Sequence, residues 1–318
     1  MRAFVFPGQG AQTVGMGRAL AEAYPAARAV FDAVDAALGE DLSGLIWGGD
    51  PETLTLTRNA QPALMATSIA AMRALEAEGV RVADHAAFVA GHSLGEYSAL
   101  VAAGALELGD AARLLRVRGD AMQAAVPAGE GAMAALLGLG VDDARAVAAE
   151  AAEGETCEAA NDNDPAQVVV SGHRAAVERA VELAKARGAK RAVMLPVSAP
   201  FHCRLMAPAA RAMAEALDDV EIARPAVPVV ANVEAAPVSD PGTIRSLLVE
   251  QVTGAVRWRE SVARMAEAGV TDVWEVGAGK ALSGMVRRID RGLATRTVGT
   301  PEEVAAAAAS LEEGAADV

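Results

Sequence analysis

Ser93 stands between two glycines, each two residues away, in the pattern G-x-S-x-G. This pattern is typical of a sharp turn from a strand into a helix, which exposes the serine as a nucleophile. Residues 86–90 predict a short buried strand, and residues 96–103 predict a helix after the turn. The N-terminus of that helix would direct free N–H groups toward the serine, so the Leu94 N–H would stabilise an oxyanion. An idle serine in a tight turn also fits the bare pattern.

A serine becomes a nucleophile at neutral pH only when a base takes its proton, and histidine is the usual base. His202 lies in an irregular proline-containing segment and is either this base or a loop histidine bonded to the backbone. His92 adjoins Ser93, but neighbours on a tight turn point apart. The other two histidines flank polar or charged residues and are interpreted as solvated surface side chains: His85 and His173.

An arginine interrupts the apolar face of a helix expected over residues 110–125. Arg118 shares that face with Ala111, Leu115, Met122 and Ala125. A buried guanidinium must pair with a protein carboxylate, extend to solvent or bind an anionic substrate. The carboxylate of a dicarboxylic acyl group suits its planar fork. The residues alone favour a structural salt bridge over the substrate.

Composition bounds the protein class. The 318 residues are 53% hydrophobic, enough for one large α/β domain or a large domain with an insert. The formal net charge of −14 argues against nucleic acid or an anionic membrane as partner. The first residues have too short an apolar core for a signal peptide, so we expect a cytoplasmic protein.

The cysteines and histidines do not form a metal-binding pattern. Cys157 and Cys203 lie in no C-x-x-C motif and are expected to be free thiols. The four histidines lack the spacing of a zinc site. We therefore expect neither a metal nor a cofactor.

Strands and helices alternate along most of the chain, which predicts a mostly parallel sheet. A strand at residues 3–6 leads into the loop Pro7-Gly8-Gln9-Gly10-Ala11-Gln12, which can donate backbone N–H groups. We further expect a helix over residues 61–78 before the turn. After Pro196 the expected elements are strands at 227–231 and 271–276, helices at 204–217, 241–252 and 257–268, and a surface helix with a frayed end in the last eighteen residues.

Between Pro127 and Pro196 the order changes to βαββαβ, which is the ferredoxin-like arrangement. The expected elements are strand 131–139, helix 142–152, strands 156–160 and 167–171, helix 173–187 and strand 191–195. We predict an inserted small domain at 127–196 within a larger domain formed by 1–126 and 197–318.

Several separated motifs resemble those of the malonyl-CoA:acyl carrier protein transacylases, over nearly the whole chain and in the family's order. They are Phe6-Pro7-Gly8-Gln9-Gly10-Ala11-Gln12, Gly91-His92-Ser93-Leu94-Gly95-Glu96-Tyr97, Arg118 within its helix, Gly131-Ala132-Met133-Ala134-Ala135, Ala160-Asn161-Asp162-Asn163, Gln167-Val168-Val169-Val170-Ser171-Gly172, Ala199-Pro200-Phe201-His202 and Glu275-Val276-Gly277-Ala278-Gly279. The resemblance implies an α/β-hydrolase-like large domain with a ferredoxin-like insert and an active site between them.

The resemblance also implies the roles of site residues. Ser93 and His202 would form a catalytic dyad, with a main-chain carbonyl near Gln251 holding the histidine in place of a carboxylate. The backbone N–H groups of Gln9 and Leu94 would form the oxyanion hole. The substrate-binding residues would be Arg118, which binds the malonyl carboxylate, together with Gln251, Met122, Phe201, His92, Asn161 and Asn163.

The implied reaction is ping-pong transfer. Malonyl-CoA would acylate Ser93, and the phosphopantetheine thiol of acyl carrier protein would then take the malonyl group, supplying fatty acid synthesis. Phe201 resembles the aromatic residue of malonyl-selective members, so we expect malonyl to be preferred over methylmalonyl. We expect a monomer. Two basic clusters, one formed by Lys185, Arg187, Lys190 and Arg191 and the other by Arg287 and Arg288, are either carrier-docking sites or simply solvated faces.

Three alternatives stay open. A serine hydrolase or thioesterase shares the serine turn, although its histidine would come later in the chain, after an acid. A noncatalytic carrier-binding subunit would not need Ser93, His202 and Arg118 together. A discrete acyltransferase of a polyketide synthase would differ only in its carrier protein.

Overall fold

Two sheets organise the chain in the computed structural model, which describes residues 1–316 as a mixed α/β fold. The strands are β1 (Arg2–Phe6), β2 (Phe88–Gly91), β3 (Gly131–Leu137), β4 (Cys157–Asp164), β5 (Gln167–His173), β6 (Arg191–Met194), β7 (Val229–Ala231), β8 (Ala236–Val238), β9 (Asp272–Val276) and β10 (Ala294–Val298). The larger sheet has the order β10-β9-β1-β2-β7-β8, and the smaller has the order β4-β5-β3-β6.

The larger sheet is parallel from β10 to β7, and only the edge strand β8 is antiparallel. The carboxyl ends of β1, β2 and β7 therefore lie at one edge, where loops after parallel strands commonly form a binding crevice. At that edge stand the loop beginning at Pro7, the serine turn beginning at His92, and Asn232.

The smaller sheet is antiparallel throughout and uses its two faces differently. Along β3, Ala132, Ala134 and Leu136 pack into a hydrophobic cluster that is confined to this part of the chain. Met133 and Ala135, on the other face, join the main core. This alternation follows from the two-residue period of a strand. One face holds the small sheet together, and the other packs against the main core.

Fifteen helices surround the sheets in the described residues. They are α1 (Arg18–Ala23), α2 (Pro25–Leu38), α3 (Leu42–Gly48), α4 (Pro51–Thr55), α5 (Thr57–Ala77), α6 (Val82–His85), α7 (Gly95–Ala102), α8 (Leu108–Ala124), α9 (Val141–Ala152), α10 (Arg174–Ala186), α11 (Ala207–Asp218), α12 (Pro241–Thr253), α13 (Trp258–Glu267), α14 (Ala281–Ile289) and α15 (Pro301–Ala316); a 3-10 turn covers Arg204–Met206. Among them, none is long and apolar enough to span a membrane. Cys157 and Cys203 are buried free thiols, as expected.

Most predicted elements agree with the structure within a few residues, but several were missed. Among the elements absent from the sequence prediction are β8, β10 and α14. β8 contains Pro237, which a strand tolerates only at an edge, and here β8 is the edge strand. The N-terminus of α14 is held by the carboxylate of Glu275 on β9, which accepts the N–H groups of Leu282 and Ser283. Of the predicted terminal helix with a frayed end, residues 317–318 lie outside the described residues.

Helix α5 begins at Thr57 rather than near Gln61, which places Pro62 in its second turn instead of at its start. Proline has no N–H, and the carbonyl four residues earlier, that of Arg58, loses its usual helical donor. The guanidinium of Arg116 on the neighbouring helix α8 replaces that donor, at 2.6 Å from the Arg58 carbonyl. The same guanidinium donates to Asn59 Oδ1 and to Glu40. A tertiary contact thus allows the helix to begin before its proline.

We predict that Arg116→Ala lowers the free energy of unfolding by about 1–3 kcal/mol, because it removes the donor from a carbonyl that has no other one in the helix. Arg113→Ala on the same helix is the matched control. Its exposed ion pair with Asp110 should contribute less than about 1 kcal/mol. Urea unfolding of the three proteins measures both changes, and equal effects of the two substitutions would contradict the role given to Arg116.

Candidate active site

The serine turn joins β2 to α7 and holds Ser93 at a positive φ of 53°. Two glycines make this turn possible. A Cβ on Gly91 would lie 1.9 Å from the Gly95 backbone, and one on Gly95 would lie 2.3 Å from the Phe6 carbonyl oxygen. The pattern G-x-S-x-G is therefore required by backbone contact at both glycines, and the unfavourable φ of the serine indicates a position constrained for function.

His202 lies against the serine. Its Nε2 is 2.7 Å from Ser93 Oγ, and its Nδ1 is 2.9 Å from the Gln251 carbonyl oxygen and 3.2 Å from that of Gly254. Two carbonyl acceptors require a proton on Nδ1, so Nε2 is left to accept the Ser93 hydroxyl proton. His202 also has a positive φ, of 59°. The structure therefore brings together Ser93 and the histidine that the sequence ranked first.

The electrostatic surroundings keep His202 neutral. Burial lowers its pKa to about 3, and the nearby positive charge of Arg118 adds to that effect. The carbonyl oxygens that accept from Nδ1 act in the opposite direction. At neutral pH the imidazole is consequently a free base, available to take the proton of Ser93.

The other three histidines have separate roles. His92 Nε2 is 2.8 Å from Asn163 Oδ1, and its ring packs beside Trp258, so it does not act on Ser93. His173 has intermediate exposure, and its Nδ1 accepts the backbone N–H of Thr156 at 2.9 Å. His85 is partly exposed at the end of a short helix.

Arg118 is buried with 1% of its surface exposed, and its guanidinium donates to three oxygens. Nη1 is 2.7 Å from Gln61 Oε1, and Nη2 is 2.9 Å from Gln251 Oε1 and 3.2 Å from Ser93 Oγ. The salt bridge favoured by the sequence is absent: no carboxylate of the described residues lies within 4.0 Å of its nitrogens. Neutral amide oxygens hold the cation instead, so its charge stays available to an anion at Ser93.

A cavity of about 440 Å³ opens onto these groups. Its wall includes most of the residues implicated by the sequence, together with Met133 and the segment Leu195-Pro196-Val197: Gln9, His92, Ser93, Leu94, Arg118, Met122, Asn161, Phe201 and His202. Gln251 lies behind Arg118, and Asn163 lines a smaller adjoining cavity that shares Asn161 and His92. The wall of the cavity is mostly apolar.

Gln9 and Leu94 line the same cavity as Ser93. Within residues 1–316 neither of their backbone N–H groups donates a hydrogen bond to another group. Free backbone donors in a buried site are suited to stabilising the negative oxygen of a tetrahedral intermediate.

Three polar residues of the site escaped the sequence reasoning: Gln61, Glu96 and Asn232. Gln61 was part of a helix prediction, and its polarity beside Pro62 is the signal that could have found it. Asn232 directly follows β7, the strand next to β2, so its place at the carboxyl edge was in principle predictable. Its Oδ1 accepts the Ser93 N–H at 2.7 Å.

The two basic clusters are largely occupied by neighbouring groups. Lys185 pairs with Glu182 and Arg187 with Glu150, while Arg288 pairs with the buried Asp164. Arg287 donates to Thr295. In the part of the chain that the structure describes, no group of three histidine, cysteine or acidic side chains could hold a metal ion.

The chain is similar to known proteins in both sequence and fold. The acyl transferase domain family matches residues 3–306. The "Malonyl CoA-acyl carrier protein transacylase" of Bacillus subtilis is 49% identical over 312 residues, covering 98% of this chain and 97% of the relative. The structure of the acyl-carrier-protein-S-malonyltransferase from Bartonella henselae superposes with a TM-score of 0.96 at 55% identity, covering 98% and 99%. A malonyl-transacylase solved in complex with its type II PKS acyl-carrier protein has a TM-score of 0.94 at 41% identity, covering 97% and 99%.

We predict that His202 stays neutral and Nδ1-protonated between pH 5 and 8, because burial and Arg118 lower its pKa to about 3. A histidine whose pKa is lowered loses its neutral form only when the pH falls toward that value. NMR of protein labelled with ¹⁵N-histidine measures the ring nitrogens directly, and His202→Ala identifies their signals. A titration of the His202 signals centred near pH 6.5 would contradict the prediction.

Proposed function

The chain belongs to the acyl transferase domain family, and from this premise we propose that it transfers malonyl groups from malonyl-CoA to the phosphopantetheine thiol of acyl carrier protein. The transfer would proceed through a malonyl ester of Ser93 and supply fatty acid synthesis. The relative from Bacillus subtilis and the structural neighbour from Bartonella henselae carry names of this activity over nearly their whole lengths, which supports the proposal.

The observation that carries the proposal is the buried guanidinium of Arg118, 3.2 Å from the nucleophile Oγ and without a carboxylate partner among the described residues. Burying such a charge is costly unless it meets an anion for part of its working cycle. In a malonyl group, one methylene separates the carboxylate from the thioester carbonyl. That carboxylate would pair with Arg118 while the carbonyl meets Ser93.

In the first half-reaction Ser93 Oγ attacks the thioester carbonyl and His202 Nε2 takes the hydroxyl proton, along the 2.7 Å contact between them. The oxyanion would bind to the N–H groups of Gln9 and Leu94. Its collapse breaks the carbon–sulfur bond, and protonated His202 gives its proton to the departing coenzyme A thiolate. The carbonyls of Gln251 and Gly254 would stabilise the imidazolium meanwhile.

The malonyl carboxylate also affects the base. The positive charge of Arg118 contributes to the low pKa of His202. A bound carboxylate would offset that charge and raise the pKa of His202, which makes the imidazole a stronger base. Donors that carry a carboxylate would therefore activate the dyad as well as bind to it.

In the second half-reaction the carrier thiol enters the cavity, gives its proton to His202 and attacks the ester. The oxyanion forms in the same place, and Ser93 leaves with the proton from His202. We propose transfer rather than hydrolysis because the relative from Bacillus subtilis is named a transacylase and the structural neighbour from Bartonella henselae a malonyltransferase. The complex of a malonyl-transacylase with a type II PKS acyl-carrier protein favours one second candidate, the same chemistry with a polyketide carrier.

The cavity wall supports a preference for malonyl over methylmalonyl. Phe201 adjoins the catalytic histidine, is 8% exposed and lines the cavity. An aromatic ring there narrows the space beside the acyl group. One methyl group is worth only about 1–3 kcal/mol of discrimination in such a pocket, so the preference would be finite.

We also infer the domain arrangement implied by the resemblance. The α/β-hydrolase-like part would comprise residues 1–126 and 197–318, and the ferredoxin-like part 127–196. The strand order β4-β5-β3-β6 supports this division, since it places the first and third strands of the βαββαβ unit, β3 and β5, at the centre of the sheet, as in the ferredoxin-like arrangement. A separate hydrophobic cluster formed by residues 132–184 also supports it. A monomeric state, cytoplasmic location and carrier docking at one of the basic clusters stay predictions.

We predict that Arg118→Ala lowers kcat/KM for malonyl-CoA by roughly a hundredfold, the effect expected from truncating one partner of a buried charge pair. Acetyl-CoA lacks the carboxylate, so its slow transfer should fall much less. Arg113→Ala on the same helix is the control and should leave both donors unchanged. Steady-state transfer from each donor measures the ratio, and an equal loss for both donors would mean that Arg118 does not recognise the carboxylate.

A further inference from the structure

Glu96 is a carboxylate buried beneath the serine turn, in the first turn of α7, with 2% of its surface exposed. In the described residues no cation lies within 4.0 Å of its oxygens. Its Oε2 accepts two hydrogen bonds, from Gln251 Nε2 at 2.9 Å and from the backbone N–H of Asn232 at 3.0 Å. A buried carboxylate that binds two neutral donors instead of a cation needs an explanation.

Gln251 connects Glu96 to the rest of the site. While Nε2 donates to Glu96 and to the Ser93 carbonyl, Oε1 accepts from Arg118 at 2.9 Å. The backbone carbonyl of Gln251 holds His202 Nδ1. One residue thus touches the guanidinium, the turn and the base, and the orientation of its amide is fixed because the oxygen faces a cation and the nitrogen faces an anion.

Asn232 makes the second connection. The Glu96 carboxylate accepts the backbone N–H of Asn232. The Asn232 side chain then holds the serine turn: its Oδ1 accepts the Ser93 N–H at 2.7 Å, and its Nδ2 donates to the Gly91 carbonyl at 2.7 Å. These bonds hold a turn in which Ser93 adopts the left-handed conformation that side chains disfavour.

We propose that Glu96 is a positioning residue, which acts through Gln251 and Asn232 to hold Ser93, His202 and Arg118 in their working geometry. Its negative charge reaches Arg118 through the Gln251 amide rather than by contact. A direct salt bridge would occupy the guanidinium and exclude a substrate carboxylate, whereas this indirect arrangement leaves it accessible. The part of the proposal that concerns the substrate carboxylate rests on the proposed function; the part that concerns Ser93 and His202 does not.

The charge state of Glu96 provides a distinctive signature. Burial raises its pKa to about 7, against the lowering effects of its hydrogen bonds and of Arg118. The charged and titratable groups that face it are Arg118 on α8 and the phenol of Tyr97 on α7, and His202 lies beyond Gln251. Protonation weakens a carboxylate as an acceptor, so activity should fall as the pH drops through about 7. His202 is still neutral at that pH and does not produce the loss.

The test compares Glu96→Gln with Glu275→Gln in the full chain. Glu275 is a matched control, since it is equally buried, accepts two backbone N–H groups and shares no hydrogen bond with the site. Three quantities are measured: the rate at which a fluorophosphonate probe labels Ser93, kcat and KM for malonyl-CoA from pH 5.5 to 8.5, and the melting temperature. The probe reports nucleophile and base without any assumption about the acyl donor.

Glu96→Gln should slow Ser93 labelling and kcat by about tenfold, with a smaller change in KM, because one charge-assisted network is weakened. It should also abolish the acid-side loss near pH 7. Glu275→Gln should change only the melting temperature. If the wild type does not transfer malonyl groups but the probe still labels Ser93, the proposed function would be overturned, whereas the proposal for Glu96 would not.

Labelling and kcat within twofold of wild type, an equal loss in Glu275→Gln, or an acid-side loss that persists in Glu96→Gln would each overturn the proposal. If Glu96→Gln does not fold, Glu96→Asp replaces it. The shorter carboxylate keeps its charge but cannot reach both partners, so it should slow labelling and retain the pH dependence. Wild-type rates in Glu96→Asp would likewise overturn the proposal.

Discussion

A guanidinium buried without a carboxylate partner is the constraint on which the site depends. Arg118 donates to two amide oxygens and a hydroxyl, and its Nε has no partner in the described residues. Neutral acceptors stabilise a buried cation less than an anion does. The protein therefore holds a positive charge that is not fully compensated beside Ser93, and burial together with this charge keeps His202 unprotonated. Binding of an anionic acyl group would relieve both conditions.

The architecture allows this because three loops converge at one edge of the larger sheet. Parallel strands bring the loop after β1, the serine turn after β2 and Asn232 after β7 to one edge of the sheet. The small sheet covers that edge and is fixed to the larger part through β4. Asp162 pairs with Arg259 at 2.8 Å, and Val256 exchanges backbone hydrogen bonds with Ala160 and Asp162. A rigid attachment at β4 keeps the cavity wall in register with the dyad.

The sequence predicted those features that local chemistry determines. Ser93, its flanking glycines and the βαββαβ order could be found because a turn and an alternation of elements are local properties. His202 could be ranked but not chosen without tertiary geometry or a resemblance to a family. Partners of buried polar groups could not be predicted: the salt bridge favoured for Arg118 is replaced by Gln61 and Gln251, and the partner of His173 is a backbone N–H seventeen residues away. The predicted start of α5 was too late because Arg116, on another helix, supplies the hydrogen-bond donor that the Arg58 carbonyl lacks four residues before Pro62.

The most direct test of the central claim is intact-mass measurement of the protein after mixing with malonyl-CoA and then with phosphopantetheinylated carrier protein. The account predicts a malonyl adduct that is absent in Ser93→Ala and that moves to the carrier when it is added. Accumulation of free malonate without an adduct that the carrier can discharge would contradict transfer and favour a hydrolase. Absence of both adduct and malonate would contradict the assignment of the donor.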